Sequence, residues 1–599
     1  MILTTNYAVG ETPLSEYPRP QFRRESYVCL NGVWEFQKRK IGGQVCDERA
    51  DGFRENGGQG CDEYMDGYRK ILVPFSPESY LSGVESGFAL GDDECLFYRR
   101  TFTVTDEQAG KVAMLHFGAV DQSCRVFVNG ELAGKHDGGY VPFALNITKL
   151  VRVGENELTV ECVDTTEKSG FTRGKQSSNA GTIWYTKQSG IWQSVWMEFL
   201  PQKHIRDFTI KTDAFTKTVT IDVDCAGDCG DITLTVYDGE QAMLTTRFVG
   251  RAVVEGDFEL WSPENPKLYD FTLEYGADKV SSYFGVRTFS EERDKKGRKR
   301  LCLNGKPCFM SGVLDQGYWP DGLLTPPSNQ AMYDELKLLK EMGFNMVRKH
   351  IKVEPMLWYR YCDELGLIVW QDFVNGGGEY QWTHIALFPF LGAKHRDSDY
   401  KYFARENEGG RVEFIASAKA TVMALKNAPC VGLWTPFNEG WGQFDSAKMV
   451  EMLREWDDTR LIDSCSGWHD QGKRKTTMKS MHTYYTPLCA PRDSRPVVLS
   501  EFGGYSKKTE GHVYSEKEFG YKIFKTDAEL HSAIKKLYLK KLKPLIKRGL
   551  CASVYTQVSD VEEEINGLVT YDRKVVKIPA SMMKALNDEL MAEMQEIEL

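Results

Sequence analysis

Two rhythms of apolar and polar positions divide the chain. Over roughly the first 290 residues, short runs alternate apolar with polar side chains and stop at Gly, Asn or Asp. CRVFVNGELAGKHDGGYVPFALNIT, VGENELTVECVD and SGIWQSVWMEFL show the period of two expected of half-buried strands. Asn129-Gly130 stands where a tight hairpin needs two residues of positive φ. Strands without any helical period predict an all-β sandwich for residues 1–201. A shorter block, from HIRDFTIKTD to SSYFGVRTF, predicts an immunoglobulin-like β-sandwich over 202–290. Pro263 and Pro266 mark an irregular connection within it.

From about residue 300 the pattern becomes strand, then helix. PCFMSGV precedes NQAMYDELKLLKEMG, FNMVRKH precedes EPMLWYRYCDELG, and LIVWQDF follows. After a long polar insertion come RVEFIASAKATVMALKN, CVGLWTPFN, SAKMVEMLREW, RLIDSCS, TMKSMHTYY and PVVLSEF. The single long helix DAELHSAIKKLYLKKLKPLIKR and the strand LCASVYTQ complete the series. Eight strands, most followed by helices, predict a C-terminal (β/α)8 TIM barrel over 291–599. A doubly wound sheet is disfavoured, because no Gly-rich phosphate loop follows the first strand.

Composition narrows the class. The mean hydropathy of -0.42 and the absence of a long apolar run exclude a spanning helix. A net charge of -10 without a basic block argues against nucleic acid as a partner. The N-terminus lacks a charged-then-apolar leader, so a cytoplasmic protein with no membrane partner is expected. The 15 cysteines, none in a CxxC pair, read as reduced thiols, and Cys225 and Cys229 as flanking a Gly-rich turn. Thirteen Trp and 28 Tyr serve either core packing or stacking on pyranose faces.

Barrel enzymes carry their chemistry at the C-terminal ends of strands. Glu439 ends the fourth strand in LWTPFNEGWGQFD, and Glu501 ends the seventh in VVLSEFGG, on opposite sides of the barrel mouth. Paired carboxylates suit glycosidic cleavage: one protonates the poor leaving oxygen and the other traps the oxocarbenium-like carbon. Their environments must hold their pKa values apart. Asn438 suits donation to a sugar 2-hydroxyl. This chemistry calls for no organic cofactor and no metal.

The chain resembles glycoside hydrolase family 2, which contains β-galactosidases, β-glucuronidases and β-mannosidases. LNGKPCFMSGV, MGFNMVRKHIKVEPMLWYRYCDELGLIVWQDF, FNEGW and SEFGG carry the resemblance, which spans essentially all residues. It implies a jelly-roll sugar-binding domain ahead of the immunoglobulin-like domain and the barrel. It also implies Glu439 as acid/base, Glu501 as nucleophile, and Tyr484 bonded to that nucleophile. His482, Asp372 and Gln371 become sugar contacts, Tyr555 an aromatic platform, and Trp441 part of the substrate-binding set. Asp372 reads also as a helix cap and Tyr555 as a core aromatic. Arg348 and His350 are counted in the site, although RKHIKVEP departs from the family's Ser-His-Tyr-Pro and puts Ile351 at the usual histidine.

A second departure bears on the sugar. TYDRK matches the Thr-x-Asp-Arg segment of β-glucuronidases, but Glu564-Ile565-Asn566 stands where they carry Asn-x-Lys. A glucuronate is therefore disfavoured unless Lys349, Lys352 or another cation substitutes. The expectation is a retaining exo-β-glycosidase of β-galactosidase type. A β-glucuronidase, another β-hexosidase and a non-catalytic carbohydrate-binding protein are the alternatives, and a homo-oligomer is compatible with the family. The insertion over 375–410, with Trp382, Phe388 and Tyr402, suits a wall for the aglycone or a structural apron.

Overall fold

A computed structural model of the chain describes residues 3–41, 63–64, 67–390, 392–471 and 476–599. The alternating segments form two facing sheets at the N-terminal end. One orders Tyr27–Cys29, Val195–Leu200, Val112–Phe117 and Phe143–Asn146; the other is built on Gly32–Lys40, Glu94–Val104, Gly154–Val163 and Ser123–Val128. Trp34, Phe36, Leu96, Phe117 and Val160 fill the space between them. The Asn129-Gly130 hairpin forms as the sequence predicts, with φ of 52° and 81°.

The second block packs a three-stranded sheet (Ile205–Asp213, Thr218–Cys225, Arg251–Glu255) on a four-stranded one centred on Ile232–Asp238 and Tyr269–Tyr275. Here one expectation fails. Cys225 and Cys229 are joined in a disulfide, because the strand end and the following turn bring their Cα atoms to 5.3 Å, within bridging range. Cys95 is also disulfide-bonded. Reduced thiols therefore no longer support a cytoplasmic home. No described helix is long and apolar enough to cross a membrane.

The eight barrel strands are Met310–Asp315, Met346–Lys349, Ile368–Asp372, Val431–Thr435, Leu461–Ile462, Lys479–Thr483, Val497–Gly503 and Leu550–Thr556. They make one curled parallel sheet, with strands ordered 5-4-3-2-1-8-7-6. Among the described residues the fifth and sixth strands form no ladder with each other; the Thr477 amide bonds Ile462 O at 3.0 Å across that seam. The helix Asn329–Glu341 starts on Ser328, whose side chain accepts from Ala331 N, and Met356–Leu365 ends on Gly366 with φ 69°. The expected single helix after the seventh strand is instead Asp527–Lys536, a π-turn over Leu537–Leu542 and Lys543–Ile546. Pro544 lacks an N–H and its ring crowds the preceding turn, so regular i to i−4 bonding cannot continue there.

The sandwich touches the barrel at the mouth. Thr172 donates to Glu413 at 2.8 Å, and the amides of Arg173 and Gly174 donate to Asn375 O at 3.0 and 3.1 Å. Arg24 ties the two β blocks together through Glu198 and Asp278.

Candidate active site

The fourth strand stops at Thr435, and the chain then turns sharply across the barrel mouth. Glu439 takes φ 52°, a left-handed conformation costly for a residue with a Cβ, and its amide is held by Ser466 O at 3.0 Å. Gly440 continues the turn at φ 79°, where an added Cβ would lie 2.7 Å from the His469 ring. Glu501 projects from within the seventh strand. The two side chains converge: one oxygen of Glu439, one of Glu501 and a ring nitrogen of His482 all lie within 4.8 Å of one another. His482 Nδ1 is 2.6 Å from Glu439 and Nε2 is 3.5 Å from Glu501.

Electrostatics separate the pair. Burial pushes the Glu439 carboxyl above the usual carboxylate range, against the opposing effect of His482. Burial acts on Glu501 in the same sense, but the charges of His482 and Arg348 outweigh it and leave this carboxyl below its ordinary value. Tyr484 donates its hydroxyl to Glu501 and lies 3.0 Å from Thr556 Oγ1, while its ring stacks on Tyr521 at 3.7 Å.

Arg348 organises the floor. It is fully buried and bonds Asp372 (3.0 Å), Glu501 (3.1 Å), Ser500 O (3.0 Å) and Asn438 Oδ1 (2.8 Å). That last bond orients the Asn438 amide, whose buried Nδ2 makes no hydrogen bond. Asp372 is occupied by Arg348 and by His350 at 2.6 Å, so it braces these residues instead of facing a ligand. Trp441 follows the turn, 6.2 Å from the His350 ring, and its buried Nε1 is also unpartnered.

Two expected sugar contacts lie elsewhere. Gln371 points toward the surrounding helices: its Oε1 accepts from Tyr359 at 2.6 Å and its Nε2 donates to Lys352 O and Asp372 O, both at 2.7 Å. Tyr555 packs in the core against Phe502 (5.8 Å) and Tyr538 (6.4 Å). Alternation along a strand explains both, since neighbouring residues face opposite sides of the barrel wall. The sequence reading missed the contribution of the N-terminal sandwich. Trp184 packs 5.0 Å from Trp441, Tyr185 donates to Glu564, and Lys175 lies over the Tyr185 and Trp441 rings. The motif RGKQ and the aromatic cluster IWYT were the available signal, but nothing in one sequence shows that a loop so far upstream reaches the barrel.

Three family descriptions match the chain in order: "Glycosyl hydrolases family 2, sugar binding domain" over residues 76–201, "Glycosyl hydrolases family 2" over 203–287, and "Glycosyl hydrolases family 2, TIM barrel domain" over 295–578. The chain belongs to glycoside hydrolase family 2. A β-galactosidase of Thermoanaerobacter pseudethanolicus is 26% identical over 466 residues, 73% of this chain and 57% of that protein. A putative β-glucuronidase of Formosa agariphila is 23% identical over 454 residues, 70% and 52% of the two chains. This family 2 chain thus spans about half the length of the curated relatives it matches. Among solved structures, Ruminococcus gnavus β-glucuronidase superposes with a TM-score of 0.72 at 16% identity, covering 96% of this chain and 99% of that one. A β-galacturonidase of Eisenbergiella tayi gives 0.68 at 17% identity, covering 98% of each. At these identities the likeness is one of fold.

Proposed function

We propose that this family 2 chain is a retaining exo-β-glycosidase. Glu501, ionised, attacks the anomeric carbon while Glu439, protonated, gives its proton to the departing oxygen. A glycosyl–Glu501 ester forms and the alcohol leaves. Glu439, now a carboxylate, takes a proton from water, whose oxygen attacks the same carbon and releases Glu501. The observation that carries the reading is a pair of carboxylate oxygens within 4.8 Å whose environments displace their pKa values in opposite directions. Inverting enzymes need about 6.5–9.5 Å to fit a water between the carboxyl groups. Burial of both acids, at 7% and 5% exposure, under a wall from another part of the chain supports a pocket for one terminal sugar. Incubation with a 2-deoxy-2-fluoro glycoside followed by peptide mass spectrometry should find the sugar on Glu501. A product of inverted anomeric configuration, read by NMR, would refute the mechanism.

A β-galactoside, the default left by the missing Asn-x-Lys, and an acidic sugar make different demands on this pocket. Glu564 is capped by Tyr185 and Asn566. Neither suggested substitute is free: Lys349 is held by Asp315 and Glu354, and Lys352 by Glu354, Gly317 O and Leu324 O.

A further inference from the structure

We propose that Lys175, carried by the N-terminal sandwich, binds a carboxylate on the non-reducing sugar, so that the substrate is a terminal β-hexuronide. This rests on the hydrolase reading above and adds the sugar class and the residue that selects it.

Lys175 is only 7% exposed. Its ammonium lies 5.3 Å from the Tyr185 ring centroid and 5.4 Å from that of Trp441, two residues past Glu439. Its charge is felt at both Glu439 and His350. Among the described residues the ammonium makes no hydrogen bond or ion pair. The other buried lysines near the barrel mouth, Lys349, Lys352 and Lys577, each have a carboxylate. A nearly buried ammonium facing two rings recovers only part of its lost hydration through cation–π attraction. An anion arriving with the substrate completes the balance.

The backbone beneath it is fixed. Lys175 O accepts from Tyr185 N at 3.0 Å, and Gln176 donates to Asp121 and to Tyr140, both at 2.6 Å. Gly174, at φ 63°, brings this segment against the loop after the second barrel strand; a Cβ there would lie 3.2 Å from Ile351 O. The backbone position from which Lys175 extends is therefore built in. On the turn that carries Glu439, Asn438 Nδ2 and Trp441 Nε1 are buried donors without partners, and the Trp441 ring faces Lys175. Unpartnered donors on Asn438, Trp441 and Lys175 fit a ligand rich in acceptors, namely sugar hydroxyls and a carboxylate. The lysine missing from the Asn-x-Lys position is compensated from another domain: Tyr185, which stacks beneath Lys175, caps the Glu564 carboxylate that would repel an acid.

The test compares wild type, Lys175→Met and Lys175→Arg on nitrophenyl β-D-glucuronide, β-D-galacturonide, β-D-galactoside and β-D-glucoside, with thermal melting to check folding. Wild type is expected to favour at least one uronide over its neutral counterpart; the two uronide arms distinguish the C4 epimers. In Lys175→Met the uronide-to-neutral ratio of kcat/KM should fall roughly 10- to 100-fold, the worth of a charge-assisted hydrogen bond, mostly through KM. Lys175→Arg should retain most of that ratio. Wild-type preference for neutral sugars, or an equal loss on all four substrates, overturns the assignment and leaves the hydrolase standing. No turnover of any glycoside overturns the hydrolase reading and this inference with it.

Discussion

Replacing Arg348 with Gln removes a cation that bonds both Asp372 and Glu501. The guanidinium is fully buried and makes bonds of 2.8–3.1 Å to Asn438, Asp372, Ser500 O and Glu501. Deleting one partner of a buried pair leaves an uncompensated charge and costs about 3–5 kcal/mol. At about 2 °C per kcal/mol for a unit of this size, the barrel's melting midpoint should drop by about 6–10 °C at pH 7. The sign with pH follows from Glu501, whose folded carboxyl is held low by His482 and Arg348 against the upward push of burial. Such a group contributes stability above its unfolded pKa and loses it as pH falls through the folded value. Without Arg348 the carboxyl rises, so the difference from wild type should shrink toward about pH 4, where carboxylates protonate. The ascending limb of kcat/KM, which reports an ionised nucleophile in the free enzyme, should move to higher pH. Scanning calorimetry and a pH–rate profile on a nitrophenyl glycoside measure both effects. A midpoint within about 2 °C of wild type with an unmoved acid limb would refute the idea that Arg348 balances these carboxylates.

Glu439→Gln should lower kcat about 10²- to 10⁴-fold on substrates with poor leaving groups, but far less on a dinitrophenyl glycoside whose departure needs no proton. Added azide should restore turnover and give a β-glycosyl azide, detected by chromatography. Gly440→Ala should destabilise by about 1–3 kcal/mol, through its positive φ and the 2.7 Å approach to His469, and should lower kcat by displacing Glu439; denaturant melts and kinetics read the two. Trp382→Ala, at a residue 65% exposed on the 375–410 segment, should raise KM for a disaccharide or longer glycoside while leaving a nitrophenyl glycoside unchanged. Equal effects on both would make that segment an apron.

Much of the barrel is legible in the chain because its period is strong and its helix signals are local: Ser328 starts one helix and Gly366 ends another where their chemistry requires. The acids are legible for a related reason. An apolar strand that runs into a carboxylate, with an amide before it and an indole after it, gains nothing in packing from that ending. Faces were harder. Gln371 and Asp372 are adjacent and both polar, and sequence does not show which one turns inward. Tyr555 illustrates the same ambiguity in an aromatic. Cys225 and Cys229 needed turn geometry to become a disulfide. Lys175 was invisible because its importance lies in what it lacks, a partner, and that is a property of three-dimensional placement.

The segment around Thr172–Gln176 is anchored to Glu413 and Asn375 yet belongs to the sandwich. On the Lys175 assignment, bond breaking and sugar choice belong to two different stretches of the polypeptide, the barrel and the sandwich, joined through these bonds. An excised barrel would retain both glutamates and lose one side of its cup, along with the lysine whose charge reaches Glu439.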